Sequence, residues 1–228
     1  AGSNLRLRFQ SSSTVEWRID DVLLTGDAAS SSPDIAVSGN NTLITDGDST
    51  PVITDHTDFG GVGLNQSNLV RTFTVTNTGA ATLTITNIAV GGANAADFSV
   101  TAQPGSFSLA AGATTTFQVR FDPSATGERN AILYITNNVS GKNPFDFYIR
   151  GTGVAATISY GPSAINLTTM VGSSPANATF GVTNRGLGRL DYSLTTNAAW
   201  LSVSPVSAQL SEGSSQSETV SFNVNKLS

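Results

Sequence analysis

The chain has 228 residues, of which 39% are hydrophobic and 12% charged, so it is long enough for one large domain or two of about 100 residues and apolar enough to form cores. Its net charge is -5 and its 11 basic residues are scattered, which argues against nucleic-acid binding because that function needs clustered Lys and Arg. The chain has no cysteine, which argues against a small disulfide-stapled scaffold. No apolar run approaches the roughly 20 residues that span a bilayer.

Residues 1–27 contain two runs in which apolar and polar residues alternate, joined by a polar segment. Alternation with a period of two predicts strands, so this segment is predicted to form a β-hairpin. The apolar residues of the two runs are Leu5, Leu7, Phe9, Val15, Trp17 and Ile19. Because a lone hairpin is marginally stable in water, we expect these side chains to pack on another domain or another subunit.

Residues 28–33 are small and polar and end in a proline, which predicts a linker. Residues 34–153 then hold many short strands at the spacing of a sandwich, separated by turns rich in Gly, Asn, Asp and Pro. The predicted strands are Asp34–Ser38, Leu69–Asn77, Leu83–Val90, Phe98–Thr101, Thr114–Phe121, Arg129–Asn137 and Phe145–Gly151. We find no convincing amphipathic helix, and 93–97 is expected to form at most one short turn.

Residues 154–228 repeat the pattern of the preceding segment. Phe73-Thr-Val75-Thr-Asn77-Thr-Gly79 matches Phe180-Gly-Val182-Thr-Asn184-Arg-Gly186 at an offset of 107. Further along, Leu109 echoes Leu210 and Phe117 echoes Val220, at offsets of 101 and 103. A repeat of this length, made of short strands, predicts an all-β fold of tandem immunoglobulin-like antiparallel β-sandwiches preceded by a β-hairpin.

Residues 34–153 resemble the choice-of-anchor D repeats of bacterial surface proteins, which belong with the immunoglobulin-like domains of abnormal-spindle protein and hydin. The resemblance rests on Ile44–Pro51, Asp55–Gly60, Arg71–Gly79, Phe121–Pro123 and Asn143–Gly153. It implies secreted, cell-surface architecture without catalysis.

Residues 154–228 resemble a BACON-type domain, a bacterial immunoglobulin-like module, through Trp200-Leu-Ser-Val-Ser-Pro205. Such domains continue with a further glycine-led hairpin, so this segment is expected to lack its final strands. Residues 1–27 resemble the last two strands of a jelly-roll domain and end in Ile19–Gly26.

The two ends of the chain permit two interpretations. The N-terminal hairpin of one subunit completes the C-terminal sandwich of the next, which would grow an open filament by strand complementation. Alternatively, the hairpin is the tail of a preceding jelly-roll domain, and the chain is an inner piece of a larger protein.

No catalytic centre is predicted, so the chain is not expected to be an enzyme. His56 is the one histidine, and the chain has neither cysteine nor the G-x-S-x-G nucleophile motif. A single histidine cannot supply the three or four nitrogen or sulfur ligands of a zinc site. We expect His56 to be a solvated loop residue.

Four aspartates within a short polar stretch form the candidate metal site: Asp46, Asp48, Asp55 and Asp58. Carboxylates at this density can offer Ca²⁺ the oxygen ligands it prefers, although the spacing is not that of an EF-hand. The alternative is that the aspartates form turns by accepting local backbone hydrogen bonds. Calcium is the one cofactor that the sequence suggests.

Tyr148 is the candidate glycan-binding residue. Alternation along its strand places it on the face opposite Phe145, Phe147 and Ile149, where its ring would be exposed.

We therefore predict a structural or adhesive building block of a bacterial-type extracellular surface layer, appendage or filament. The alternative is a glycan-binding or spacer module of a larger secreted enzyme. The expected partners are further copies of the chain, neighbouring domains or glycans, with no nucleic acid and no membrane span. The expected location is extracellular or at the cell surface.

Overall fold

The computed structural model describes residues 32–65, 68–170 and 172–223. The first group of strands is β1 (Ile35–Gly39), β2 (Thr42–Ile44), β3 (Asp58–Gly63), β4 (Leu69–Asn77), β5 (Leu83–Gly91), β6 (Phe98–Ala102), β7 (Ser108–Leu109), β8 (Thr114–Phe121), β9 (Gly127–Asn137) and β10 (Phe145–Val154). The second group is β11 (Ile158–Gly161), β12 (Ala178–Asn184), β13 (Leu190–Ser193), β14 (Leu201–Ser204), β15 (Ser207–Leu210) and β16 (Ser215–Phe222). Short 3-10 helices cover Ile53–Asp55 and Ala95–Asp97.

The first group forms two five-stranded sheets, which we call the first sandwich. Their strand orders are β2-β1-β4-β8-β6 and β3-β10-β9-β5-β7. β3 pairs in parallel with β10, whereas the other neighbouring strands of these sheets pair antiparallel. Side chains from both sheets meet in one apolar core. The all-β, immunoglobulin-like prediction is therefore confirmed.

Alternating side chains build this core. In β8 the burial alternates residue by residue, so that Phe117, Val119 and Phe121 point inward. Phe117 stacks on Phe73 of β4 with ring centroids 5.4 Å apart. The predicted bounds of Leu69–Asn77 and Thr114–Phe121 are confirmed. The sequence prediction missed β2, β3 and β7, because β2 and β7 are very short and β3 is rich in glycine.

The second group forms a four-stranded sheet of order β11-β12-β16-β14 and a two-stranded sheet of β13 and β15, which together we call the second sandwich. Among the described residues of this group, Val182 and Leu210 are its buried hydrophobic side chains. No helix in the described ranges is long and apolar enough to cross a membrane.

Strand register corrects the alignment of the two repeats. Phe73 of β4 lies opposite Phe117 of β8, and its counterpart Phe180 of β12 lies opposite Glu218 of β16. Phe117 therefore corresponds to Glu218 at an offset of 101, and the expected match with Val220 is wrong. Sequence similarity favoured Val220 because a charged residue is rare at a core position.

Candidate functional site

The predicted assembly residues cannot be placed in this structure. Leu5, Leu7, Phe9, Val15, Trp17 and Ile19 lie outside the described residues, as do the hairpin over 1–27 and most of the linker over 28–33. The last linker residues are described, and the carbonyl oxygen of Ser32 accepts hydrogen bonds from the backbone of Ala80 at 3.1 Å and of Ala81 at 3.3 Å.

Asp46 and Asp48 each have a local hydrogen-bonding role. The Oδ1 of Asp46 accepts a bond from the backbone N–H of Asp146 at 3.0 Å. The Oδ1 of Asp48 accepts bonds from the backbone N–H and hydroxyl of Thr50 at 2.9 and 2.7 Å. These bonds fix the loop that runs beside β10.

Asp55 and Asp58 are held by different groups. Asp55 is buried, and its Oδ1 accepts bonds from the backbone N–H and hydroxyl of Thr57 at 2.9 and 2.6 Å. Asp58 forms an ion pair with Arg150 at 2.6 Å and accepts a bond from the N–H of Gly60 at 2.8 Å. Within the described ranges no three His, Cys, Asp or Glu side chains group in a way that could hold a metal ion. The structure does not bring the four aspartates together, and the calcium site stays a prediction.

His56 caps a 3-10 helix in the left-handed backbone conformation, with φ of 68°. Burial, together with the charge of Arg71, lowers the pKa of its imidazole. Its Nδ1 is buried and has no hydrogen-bond partner among the described residues. Since a catalytic triad needs a carboxylate that orients the imidazole through this type of bond, the geometry of His56 does not resemble one.

Tyr148 lies on the outer face of β10 with 40% of its surface exposed. It stands opposite Ile132 of β9, which in turn stands opposite Gly91 of β5. The ring of Tyr134 lies over Gly91, where a Cβ atom would come within 3.0 Å of the ring. Two tyrosines thus share one outer sheet face.

A shallow cavity of about 260 Å³ adjoins Tyr148 on this face. It is lined by Gly92, Ala93, Asn130, Ala131, Ile132 and Tyr148. Asn130 donates a hydrogen bond to the exposed carboxylate of Glu128 at 2.8 Å. Small-molecule pockets combine aromatic side chains with a few polar groups, and Tyr148 and Asn130 give this cavity one of each.

The repeated Asn-x-Gly motif has a role that the sequence did not reveal. In the first sandwich the side chain of Asn77 is buried, and its Nδ2 donates to the carbonyl oxygens of Ala81 at 2.8 Å and Leu109 at 2.9 Å. Its Oδ1 accepts bonds from the N–H groups of Gly79 at 3.0 Å and Asp34 at 3.5 Å. The side chain of Asn77 therefore connects the turn that follows β4, strand β7 of the other sheet and the segment that leads into β1.

Asn184 repeats this arrangement in the second sandwich. Its Nδ2 donates to Gly188 at 2.6 Å and Leu210 at 3.1 Å, and its Oδ1 accepts from Gly186 at 3.0 Å and Thr157 at 3.2 Å. We call each arrangement an asparagine clamp. The internal repeat was the signal that could have revealed it.

The interior of the second sandwich contains a polar pair. Glu218 is fully buried, and its Oε1 accepts a hydrogen bond from the hydroxyl of Tyr192. In the part of the chain that the structure describes, its Oε2 has no hydrogen-bond partner. Burial, reinforced by Glu218, raises the pKa of Tyr192 to about 12.

An apolar cavity of about 420 Å³ lies in the same sandwich. Its lining includes Tyr160, Phe180, Trp200, Val220 and Phe222. Trp200 and Phe222 are stacked with centroids 6.4 Å apart. The described residues therefore leave part of this apolar surface uncovered.

Two family models match the chain in sequence. Residues 52–152 match the HYDIN/CFA65/VesB-like, Ig-like domain, and residues 158–228 match the Viral BACON domain. No curated protein shows a significant match.

Three solved structures share weak similarity with the chain. The VesB protease of Vibrio cholerae is 22% identical over 42% of this chain and 29% of its own, with a TM-score of 0.32. The secreted serine protease VesC from Vibrio cholerae is 15% identical over 72% and 45%, with a TM-score of 0.37. A protein of unknown function from Porphyromonas gingivalis W83 is 17% identical over 72% and 79%, with a TM-score of 0.30.

The matched region spans less than half the length of either protease. TM-scores of 0.37 and below do not support an inference about function. The two family models, by contrast, follow one another along the chain in the predicted order. The chain thus joins a segment similar to the HYDIN, CFA65 and VesB immunoglobulin-like family to one similar to the BACON family, as the sequence predicted.

Proposed function

We propose that this chain is a non-catalytic accessory module of an extracellular protein, in which two sandwiches space or present other parts. The observation that carries this proposal is the use of the polar side chains. In the described residues the buried asparagines clamp turns and strands, and the candidate aspartates bond to their own loops. Side chains committed to the scaffold are not free to act on a substrate.

Similarity to the two domain families supports the extracellular part of the proposal, because the resemblance to choice-of-anchor D repeats implies a secreted, cell-surface setting. The low content of charged residues agrees with a β-rich surface module.

Hydrolase assays test the absence of catalysis. The purified chain should release no product from casein, p-nitrophenyl esters or p-nitrophenyl glycosides above a buffer control. The matched variant is His56→Ala, which removes the one imidazole. Turnover by the parent chain that His56→Ala abolishes would overturn the proposal.

A structural or adhesive building block is the second candidate function. The apolar cavity of the second sandwich favours it, because the predicted strand bearing Leu5, Leu7 and Phe9 has the alternation needed to cover such a surface. Sedimentation velocity over a range of concentrations tests it. Polymers that form with the full chain and disappear on deletion of residues 1–27 would support a filament, and a monomer at all concentrations would end this candidate.

Glycan binding on the outer sheet face is a further property that an accessory module of this kind would have. The position of Tyr148 and Tyr134 on one outer sheet face and the polar Asn130 beside Tyr148 support it. We expect Tyr148→Ala to abolish binding of the chain on a glycan array. Tyr160→Ala is the matched control, since Tyr160 is 66% exposed in the second sandwich. No binding by the parent, or equal loss in both variants, would refute this site.

Calcium binding at the loop of Asp46, Asp48, Asp55 and Asp58 is a further proposal, and thermal denaturation tests it. Added Ca²⁺ should raise the melting temperature of the parent chain and leave the Asp46→Asn, Asp48→Asn double variant unchanged. A melting temperature that is insensitive to Ca²⁺ would end it.

A further inference from the structure

The two sandwiches are joined by more than a linker. After β10 ends at Val154, only residues 155–157 precede β11. Leu64, which follows β3, donates its backbone N–H to the carbonyl of Val154 at 2.9 Å. The carbonyl of Leu64 accepts a bond from the N–H of Arg189, in the second sandwich, at 3.0 Å. The backbone of Leu64 therefore hydrogen-bonds to both sandwiches, and we call this pair of hydrogen bonds the Leu64 bridge.

Glycines in β3 let the two backbones approach closely beside this bridge. A Cβ atom on Gly63 would overlap the carbonyl group of Leu187 and lie 2.8 Å from the nitrogen of Gly188. A Cβ atom on Gly61 would lie 3.4 Å from the Leu187 side chain. The loop containing Leu187 thus packs directly against the backbone of Gly61 and Gly63, which we call the glycine floor.

The loop is also fixed from its own side. The N–H of Arg185 donates to the carbonyl of Thr157 at 2.7 Å. A Cβ atom on Gly186 would lie 2.5 Å from the carbonyl oxygen of Ala155, and one on Gly188 would lie 2.7 Å from the nitrogen of Ala156. The Asn184 clamp closes this loop, so the loop can move relative to 155–157 only if these contacts break.

The first sandwich has the same clamp at its N-terminal end but not the same joint. Gly79 packs against residues 32–34, which lead into β1, and a Cβ atom there would lie 2.5 Å from the carbonyl oxygen of Ser32. The residue that corresponds to Leu187 is Ala80, whose side chain is a single methyl group. The long apolar side chain belongs to the junction between the two sandwiches.

We propose that Leu187, the glycine floor of Gly61 and Gly63 and the Leu64 bridge lock the two sandwiches into one rigid unit. Connected domains move relative to each other by default unless an interface restrains them. Here the restraint consists of backbone contacts that no side chain separates. The inference deepens the proposed spacer role, because a stiff pair of sandwiches holds what it carries at a fixed distance and angle.

Spin labels on the two sandwiches test this joint. The chain has no cysteine, so Thr116→Cys and Ser217→Cys, both exposed strand positions, label it at two defined sites. Pulsed electron paramagnetic resonance then measures the distribution of distances between the labels. We expect one narrow distribution for this labelled parent.

Gly63→Ala should force the loop off β3 and roughly double the width of the distance distribution, since the domains then regain their default motion. Leu187→Ala should widen it by less, because it removes a contact without adding a clash. Gly105→Ala is the matched control, as a Cβ atom there meets nothing within 4 Å, and it should leave the width unchanged.

A broad distribution in the parent would overturn the joint while leaving a flexible accessory module intact. Catalytic turnover would do the opposite, since it would refute the proposed function and leave the joint standing. If Gly63→Ala fails to fold, Leu187→Ala decides, and an unchanged width in that variant overturns the proposal.

Discussion

The described strands of the second sandwich pair in the same order as their counterparts β1, β4, β8 and β6, and β5 and β7, in the first, but the two interiors are filled differently. The first has a core of 22 buried hydrophobic residues among those described. The second, in its described part, buries Val182 and Leu210 and contains an apolar cavity. Both have the asparagine clamp. The comparison teaches that a repeated polar motif can conserve the connections of a fold while the apolar core, which supplies most of the stability, varies independently.

One pair of positions shows the difference most clearly. Phe117 in the first sandwich corresponds to Glu218 in the second, and Ile85 corresponds to Tyr192 at the offset of 107 that relates β5 to β13. The second sandwich thus has a hydrogen-bonded polar pair where the first has two apolar residues. A buried carboxylate with one unpaired oxygen stabilises less than packed apolar side chains of similar size.

The largest expected effect is the loss of an aromatic residue from the first core. Phe117→Ala should lower the free energy of unfolding of the first sandwich by about 3–5 kcal/mol, because Phe117 is fully buried and stacks on Phe73. Residue-resolved hydrogen exchange measures the effect in each sandwich separately. Equal loss of protection in both would show that the two cores are not independent.

The asparagine clamps should come next. Asn77→Ala and Asn184→Ala each remove four hydrogen bonds and leave buried backbone groups without partners, at about 1–3 kcal/mol for each group left unsatisfied. We expect Asn77→Ala to fold with a lower melting temperature and Asn184→Ala to lose the second sandwich at room temperature. Asn87→Ala, at an exposed position of β5, is the control in thermal denaturation.

Restoring the apolar pair should sharpen the comparison in the opposite direction. The double variant Tyr192→Ile, Glu218→Phe introduces the residues of the first sandwich, and it should raise the free energy of unfolding of the second by about 1–4 kcal/mol. Urea denaturation checks the change. A lower free energy of unfolding in the double variant would mean that the Tyr192–Glu218 pair stabilises the second sandwich more than the apolar pair does.

The Tyr192–Glu218 pair should also make the second sandwich sensitive to alkali. The pKa of Tyr192 is raised from 10.0 to about 12, so folding favours the neutral phenol. Its contribution is fully present below pH 10 and is lost as the pH rises through about 12. Tyr192→Phe should be less stable at neutral pH by about 1–3 kcal/mol and should lose the part of the pH dependence that this titration causes. An identical pH profile in the variant would refute the assignment.

The smallest effect belongs to the ion pair of Lys142 and Asp34, whose Nζ and Oδ1 are 2.7 Å apart. Both side chains are partly exposed, so Lys142→Ala should cost about 0.2–1 kcal/mol. The hydrogen bond from Lys142 lowers the pKa of Asp34, so this contribution is present above pH 3.8 and disappears as the pH falls further. Acid titration of Lys142→Ala beside Lys142→Arg measures it. In the second sandwich Thr157 takes the place of Asp34, since its N–H donates to the clamp asparagine in the same way. The second sandwich should therefore show no such acid dependence.

The regular strands could be predicted because their alternation is a local property. Leu69–Asn77 and Thr114–Phe121 alternate between a more buried and a more exposed face, and most of their buried residues are apolar, with Asn77 and Thr115 as exceptions. β3 could not be predicted, because its glycines have no side chains to show a pattern. They serve a contact with Leu187, which lies far along the chain.

The candidate sites were less predictable than the fold. The clustering of Asp46, Asp48, Asp55 and Asp58 in sequence suggested a shared ligand, yet each carboxylate bonds to a neighbour in its own loop or to β10. Tyr148 was placed on the exposed face by alternation, and it lies there. Its proximity to Tyr134 depends on the pairing of β10 with β9 and of β9 with β5, which no local sequence pattern specifies.

The sequence by itself determined the fold class, the order of the two repeats and the position of the Asn-x-Gly motifs, because hydrophobic periodicity and repetition are written along the chain. The tertiary structure decided that Glu218 occupies the place of Phe117, that each asparagine joins three segments and that Leu187 rests on Gly63. These features depend on strand register and on contacts between distant residues. Register is fixed by the packing of whole sheets, so it becomes visible only when the strands are brought together.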